Sequence, residues 1–183
     1  MIRNWYAVYT RPNREKKVAS ILTKRGIKNY FPLNNVISQN ANNKKPVKEA
    51  LFSSFVFVYI AESEIGSIMA ITGTVNFLYW MAKPAIIRRE EIEAVRQISS
   101  VYQNIKLEKS AVNINDTVRI IDEPVISFKE NSASVKFQTL KIVLPSLGFT
   151  MIAERDKVNE AIVQEESTQS VFFPKRLNSF FSN

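Results

Sequence analysis

Polar and apolar residues follow two alternating rhythms along this chain, and the switches between them mark its elements. Residues 5–10, WYAVYT, run with a period of two, placing Trp5, Ala7 and Tyr9 on one strand face and Tyr6 and Val8 on the other. Arg11-Pro12 ends that run. Val18, Ile21 and Leu22 then recur at i, i+3 and i+4, predicting an amphipathic helix capped by Asn13 and closed at Gly26 after Lys24 and Arg25. Residues 28–38, KNYFPLNNVIS, read as a strand bent or edged at Pro32, and QNANNKKPVKE as a polar loop or hairpin tip. A strand over about 50–60 follows. Strict alternation there puts Phe55, Phe57 and Tyr59 on one face and Phe52, Ser54, Val56 and Val58 on the other, so both faces are greasy. Ser63 can cap a short helix with Ile65, Ile68 and Met69 inward, closed by Gly73. TVNFLYW (74–80) is a further strand, and Arg88 to Gln103 a charged helix with Ile92, Val95 and Tyr102 inward.

This order predicts an α+β fold whose first domain, residues 1–103, is a β-α-β-β-α-β unit: a four-stranded antiparallel sheet with two helices on one face. Residues 104–114 read as a linker. The runs TVRII (117–121), VISF (125–128), ASVKFQ (133–138), LKIVL (140–144) and GFTMIA (148–153) predict a small β-barrel over 115–156. The tail, 157–183, is Glu/Gln/Ser-rich before ending VFFPKRLNSFFSN, and its pattern predicts no particular element.

Composition narrows the chemistry. The 183 residues include no Cys and no His. That removes disulfides, thiolate zinc sites, the commonest general base and the commonest metal ligand; a carboxylate or lysine could still do acid–base work, but no pair stands at a telling spacing, so no enzyme, cofactor or metal is expected. No apolar run approaches a membrane span or a signal peptide, which reads as a cytoplasmic chain with no membrane partner. Charge is uneven. Residues 1–60 hold 11 basic and 2 acidic residues, whereas the remainder holds 14 and 15. A basic first half joined to a near-neutral second half suggests a polyanion contact confined to the first.

Two constellations could carry function. In the first, Phe55 and Phe57, with Tyr6 or Tyr9, could stack on bases as in RNA-recognition sheets, making the chain a standalone single-stranded RNA-binding module. Alternatively, Tyr9, Phe55, Phe57 and Trp80 could gather as a protein-binding face, with Ile92 and Val95 walling a groove open to a partner helix. The plain alternative is core: the last helix covers them. In the second constellation, Arg14, Lys17 and Lys24 share a helix face just after Arg11, a ridge suited to phosphates and equally to solvent.

WYAVYTRPNREKKVASIL, ALFSSFVFVYI and GTVNFLYWMAKPAIIRREEIEAV resemble, in that order, the N-terminal domain of NusG-type transcription elongation factors. The resemblance is greatest to the specialised RfaH and UpxY kind, which control long operons such as capsular polysaccharide loci. INDTVRIIDEP resembles a weakened opening of the KOW domain, an SH3-like barrel. The resemblance implies transcription antitermination by a monomer that grips the clamp helices of the RNA polymerase largest subunit. It puts Tyr9, Phe52, Phe55, Phe57 and Trp80 on that surface, bordered by Ile92 and Val95. It also implies contact with the non-template DNA strand of the transcription bubble through Arg11, Arg14, Lys17 and Lys24, and a KOW partner such as ribosomal protein S10 or Rho. The chain departs from the family pattern at Ser53-Ser54, where relatives carry Pro-Gly, and in lacking glycine between 113 and 147. Placing Phe52 beside Phe55 and Phe57 breaks simple alternation and demands a bulge or turn at Ser53-Ser54.

Overall fold

The computed structural model describes residues 1–37, 46–110, 118–129 and 132–156. Strand β1 (Arg3–Thr10) is the axis of the first sheet. It pairs antiparallel with β5 (Phe55–Ala61) from Arg3↔Ala61 to Tyr9↔Phe55, and β5 pairs in turn with β2 (Asn29–Tyr30). The opposite side of β1 is shared by β6 (Thr74–Phe77) and β9 (Ile86–Ile87). The sheet therefore has five strands, order β2-β5-β1-β6 with β9 also on β1, where four were expected. The difference arises because the predicted strand 74–80 leaves β1 after Phe77. It turns out into a hairpin, β7 (Tyr79–Trp80) against β8 (Lys83–Pro84), before the chain returns as β9.

Pro32 divides the predicted strand 28–38 into β2 and β3 (Leu33–Ile37), since proline breaks a hydrogen-bonded ladder. Part of the polar stretch read as a loop is strand: β4 (Pro46–Ala50) pairs with β3. Helix α1 spans Glu15–Lys24 and ends as predicted, with Gly26 in the left-handed region at φ +69°. Its start differs from expectation. Asn13 itself has φ +62°, so Arg14 takes the N-cap position without a side-chain cap. Helix α2 (Ile65–Met69) buries Ile68 but leaves Met69 exposed, against the inward prediction. Helix α3 (Arg89–Val101) buries Ile92, Val95 and Ile98.

The two faces of the first sheet carry separate cores. On one, Tyr6, Val8, Val56, Val58 and Ile60 pack against Val18 and Leu22 of α1 and Ile68 of α2. On the other, Trp5, Ala7, Phe55 and Phe57 pack against α3 and against a second sheet. That sheet has the order β10-β13-β12-β11, all antiparallel, from β10 (Lys106–Lys109), β11 (Arg119–Lys129), β12 (Ser132–Leu144) and β13 (Phe149–Asp156). The predicted linker thus supplies a strand. The described part of the first short run, 119–121, and the run 125–128 fuse into β11, and those at 133–138 and 140–144 into β12. Among the described residues this is an open four-stranded sheet, with no pairing of β10 to β11 that would close a barrel. Pro124 sits in β11, an edge strand, where proline is tolerated. The readings made for 111–117 and for the tail from 157 lie outside the described residues.

The crossing between sheets is pinned. The Asn34 amide donates to the Ile105 carbonyl at 2.9 Å while its Oδ1 accepts the Ile105 N–H at 3.1 Å. Asn104 adds a bond from the Ile37 N–H to its Oδ1 at 2.9 Å.

Candidate functional site: an aromatic sheet face and a basic helix

The aromatic face is assembled by a turn. At Phe52-Ser53-Ser54-Phe55 the Phe55 N–H donates to the Phe52 carbonyl at 3.3 Å, and Ser54 takes φ +64°. Two hydrogen bonds hold Ser54 in this conformation. Its N–H donates to Glu15 Oε1 at 2.8 Å, its carbonyl accepts the Thr10 N–H at 2.9 Å, and Glu15 is itself buried at the start of α1. The turn breaks the alternation, as the resemblance required, and swings Phe52 onto the side of Phe55 and Phe57. The Phe52 and Phe57 rings meet edge to face at 5.6 Å, and Tyr9 lies 4.3 Å from its cross-strand partner Phe55.

Six of the residues named for a polymerase surface, Tyr9, Phe52, Phe55, Phe57, Ile92 and Val95, therefore fall in one cluster. The expected open groove does not. Phe55 is 9% exposed and Phe57 fully buried. Helix α3 fills one side of the groove, and Ile142, Leu144, Met151 and Ala153 of the second sheet, with Leu147 of its β12–β13 turn, close the rest. The physical reason is area. An aromatic face this large is costly in water, and the second sheet offers a matching apolar face from β12 and β13. Phe149 packs edge-on over Phe52 at 5.8 Å. Base stacking on Phe55 and Phe57 is blocked by the same cover.

A polar tie accompanies this packing, and pattern reading missed it. Glu91 of α3 is fully buried, and its Oε1 accepts the Ser146 N–H at 3.0 Å from the β12–β13 turn. Its Oε2 has no hydrogen-bond partner. Burial pushes its pKa up from the usual 4.5, opposed by the hydrogen bonds from Ser146 and by the Arg88 charge. The signal was present in spacing: Glu91, Val95 and Ile98 stand at i, i+4 and i+7 on one helix face.

Trp80 is apart from the cluster, 51% exposed on the β7–β8 hairpin. Arg11, Arg14, Lys17 and Lys24 are all exposed along α1 and its approach, joined by Lys16 and Arg25. The ion pairs Arg3–Glu64, Arg96–Glu93 and Lys106–Glu154 lie off this ridge and do not neutralise it. Gly73 lies directly beneath it. The Arg11 N–H donates to the Gly73 carbonyl at 2.9 Å, and a Cβ on Gly73 would come within 3.1 Å of Val18 and 3.5 Å of Arg14. Among the described residues no group of carboxylates could hold a metal ion, and no helix is long and apolar enough to cross a membrane.

A family model described as "Transcription termination factor nusG" matches residues 3–96. No curated protein matches the chain. Among solved structures, one described as "Domain interaction in Thermotoga maritima NusG" is similar over 85% of this chain and 94% of that one, at 17% identity and a TM-score of 0.48. The MjSpt4:Spt5 complex in its conformation A is similar over 82% of this chain and 99% of that one, at 16% identity and a TM-score of 0.31.

Proposed function

We propose that this chain, which belongs to the NusG family, is an operon-specific transcription elongation and antitermination factor of the kind that serves capsular polysaccharide loci. Its aromatic face, Tyr9, Phe52, Phe55 and Phe57 with Ile92 and Val95 beside them, takes the clamp helices of the RNA polymerase largest subunit. The ridge of Arg11, Arg14, Lys17 and Lys24 takes the phosphates of the exposed non-template strand. The observation that carries this reading is the Ser53-Ser54 turn, which places Phe52 with Phe55 and Phe57 on one face of the sheet. A helix pair docking there meets large, rigid side chains of the type that dominate interface energies.

Because those rings are covered in this conformation, capture requires the second sheet to move off them. Binding energy then biases a conformational equilibrium, and no bond chemistry is involved. The covering also disfavours a standalone RNA-binding sheet, whose Phe55 and Phe57 would have to be open to bases without any partner.

The test is capture of purified RNA polymerase by the full chain and by Tyr9→Ala. Among the six site residues of the cluster Tyr9 alone is partly exposed, so this variant disturbs the core least. Capture by the wild type, weakened at least tenfold in Tyr9→Ala with the melting temperature nearly unchanged, supports the reading. Failure of the wild type to capture polymerase, alongside tight single-stranded RNA binding, overturns it. Replacing Lys17 and Lys24 by alanine is expected to flatten the salt dependence of bubble-DNA binding while sparing capture, because phosphate contacts set the salt slope.

A further inference from the structure

The β7–β8 hairpin is an exposed aromatic wedge that neither the core nor the basic ridge uses. It is inserted between two strands that both pair with β1, and its root is clamped. The Leu78 N–H donates to the Ala7 carbonyl at 2.8 Å and the Ala85 N–H to the Leu78 carbonyl at 2.7 Å. Past that clamp the apolar side chains face water: Trp80 at 51% exposure, Met81 at 84%, with Tyr79 and Ile86 exposed beside them. Met81 and Ala82 form the tip with φ +48° and +60°. A two-residue hairpin turn of that hand ordinarily takes Asn and Gly, because other L residues resist it. The tip is therefore held in a resisted conformation that presents a large apolar side chain to solvent.

We propose that this hairpin binds an unpaired DNA base, with Trp80 as the stacking platform and Lys83 as the phosphate contact. Trp80 pairs directly with Lys83 across the two strands, so the ring and the ammonium share one face of the ribbon. Together with Met81, Pro84, Ala85 and Ile86 they line an open cleft of about 490 Å³. The sequence that builds the hairpin and its flanks, Ile65 to Arg89, contains Lys83, Arg88 and Arg89 and no acidic residue. An aromatic face beside a cation, in a stretch free of carboxylates, fits a π-stacking ligand that carries negative charge. A second copy of the chain fits poorly. A two-fold contact at this ribbon would bring Lys83 toward its own equivalent with no acid in the hairpin to pair it. The apolar part of the cleft, Met81, Pro84, Ala85 and Ile86, suits a thymine methyl, which uracil lacks.

This inference extends the nucleic-acid part of the reading above to a second site and is separable from polymerase capture. The probe is dT12 titrated against the full chain at low salt, read by intrinsic fluorescence. The two tryptophans differ sharply, Trp5 being 6% exposed in the core, so quenching by an oligonucleotide reports Trp80. Quenching is expected on saturation. Trp80→Ala should bind dT12 about tenfold more weakly, since one stacked base contributes on that scale. Trp80→Phe should keep most of the affinity, and Lys83→Met should flatten the salt slope. Replacing Lys17 and Lys24 by alanine should lower affinity while leaving the quench at saturation intact. The assignment is overturned if saturating dT12 leaves the fluorescence unchanged, if Trp80→Ala binds like the wild type, or if rU12 is preferred. It is equally overturned if Trp80→Ala alters polymerase capture or sedimentation while dT12 binding stands.

Discussion

Glu91 offers the sharpest handle on how the second sheet stays seated. Glu91→Ala leaves the Ser146 N–H without its acceptor inside a buried turn. An orphaned donor of this kind costs about 1–3 kcal/mol, or roughly 5–150-fold in the ratio of seated to unseated sheet. Glu91→Gln keeps a carbonyl oxygen for Ser146 and abolishes the charge, so the pair of variants separates hydrogen bonding from ionisation. The sign for pH follows from proton counting. Burial raises the Glu91 pKa above its unfolded value. Between the ordinary carboxyl range and that raised value, the folded chain holds a proton that the unfolded chain has lost. Stability from Glu91 is thus fully present below the unfolded pKa and is lost as pH rises through the folded one. Urea unfolding of wild type and Glu91→Gln across pH 4 to 8 isolates this as the difference between two curves. The wild type should lose stability relative to Glu91→Gln as pH rises, and Glu91→Ala should fall below Glu91→Gln at every pH. Parallel curves for wild type and Glu91→Gln would refute the ionisation argument. Equal stability of the Ala and Gln variants would refute the hydrogen-bond argument.

Two further outcomes are expected. Ser54→Gly should raise stability by about 0.5–1 kcal/mol in thermal unfolding, because glycine takes φ +64° without the steric cost that serine meets, offset by greater unfolded-state entropy; a lower melting temperature would mean that the serine side chain contributes more than the strain. Asn34→Ala should lower stability by about 2 kcal/mol, because it strands both polar groups of Ile105 that the Asn34 amide now satisfies; an unchanged urea midpoint would show that water replaces the pair.

Much of the first sheet was legible because period-two and period-3.6 patterns report directly on burial: Val18, Leu22, Ile92 and Val95 all lie inward as their spacing says. Three features escaped that logic. Phe52 escaped because a single left-handed residue, Ser54, reverses which face the chain presents, and alternation cannot register a turn. The β7–β8 hairpin escaped because NFLYW reads as one continuous strand, and only the Leu78–Ala85 closure and the non-glycine tip at Met81-Ala82 divide it. The second sheet's position escaped because it depends on contacts between distant segments, such as Glu91 with Ser146, 55 residues apart. The basic ridge was legible since helix geometry alone fixes which lysines align. Lys16 and Arg25 are further exposed cations of this helix that the shared face of Arg14, Lys17 and Lys24 does not include.

The two faces of the first sheet explain how the uncovering that the proposed function requires is compatible with a stable fold. Tyr6, Val8, Val56, Val58 and Ile60 are buried by α1 and α2, elements that follow closely along the same half of the chain. That core needs nothing from residues beyond 103. Phe52, Phe55 and Phe57 are buried partly by α3 and partly by β12 and β13. Removing the second sheet therefore exposes one core and leaves the other whole. The covered face costs free energy when bared, so under the proposed function the uncovered state is a minority one until the polymerase supplies a replacement apolar surface. A partner that buries Phe52 as thoroughly as Phe149 does recovers most of that cost on binding. Selectivity then follows from matching the shape of the cover, since a smaller or more polar surface leaves the rings partly wet and the second sheet wins the competition.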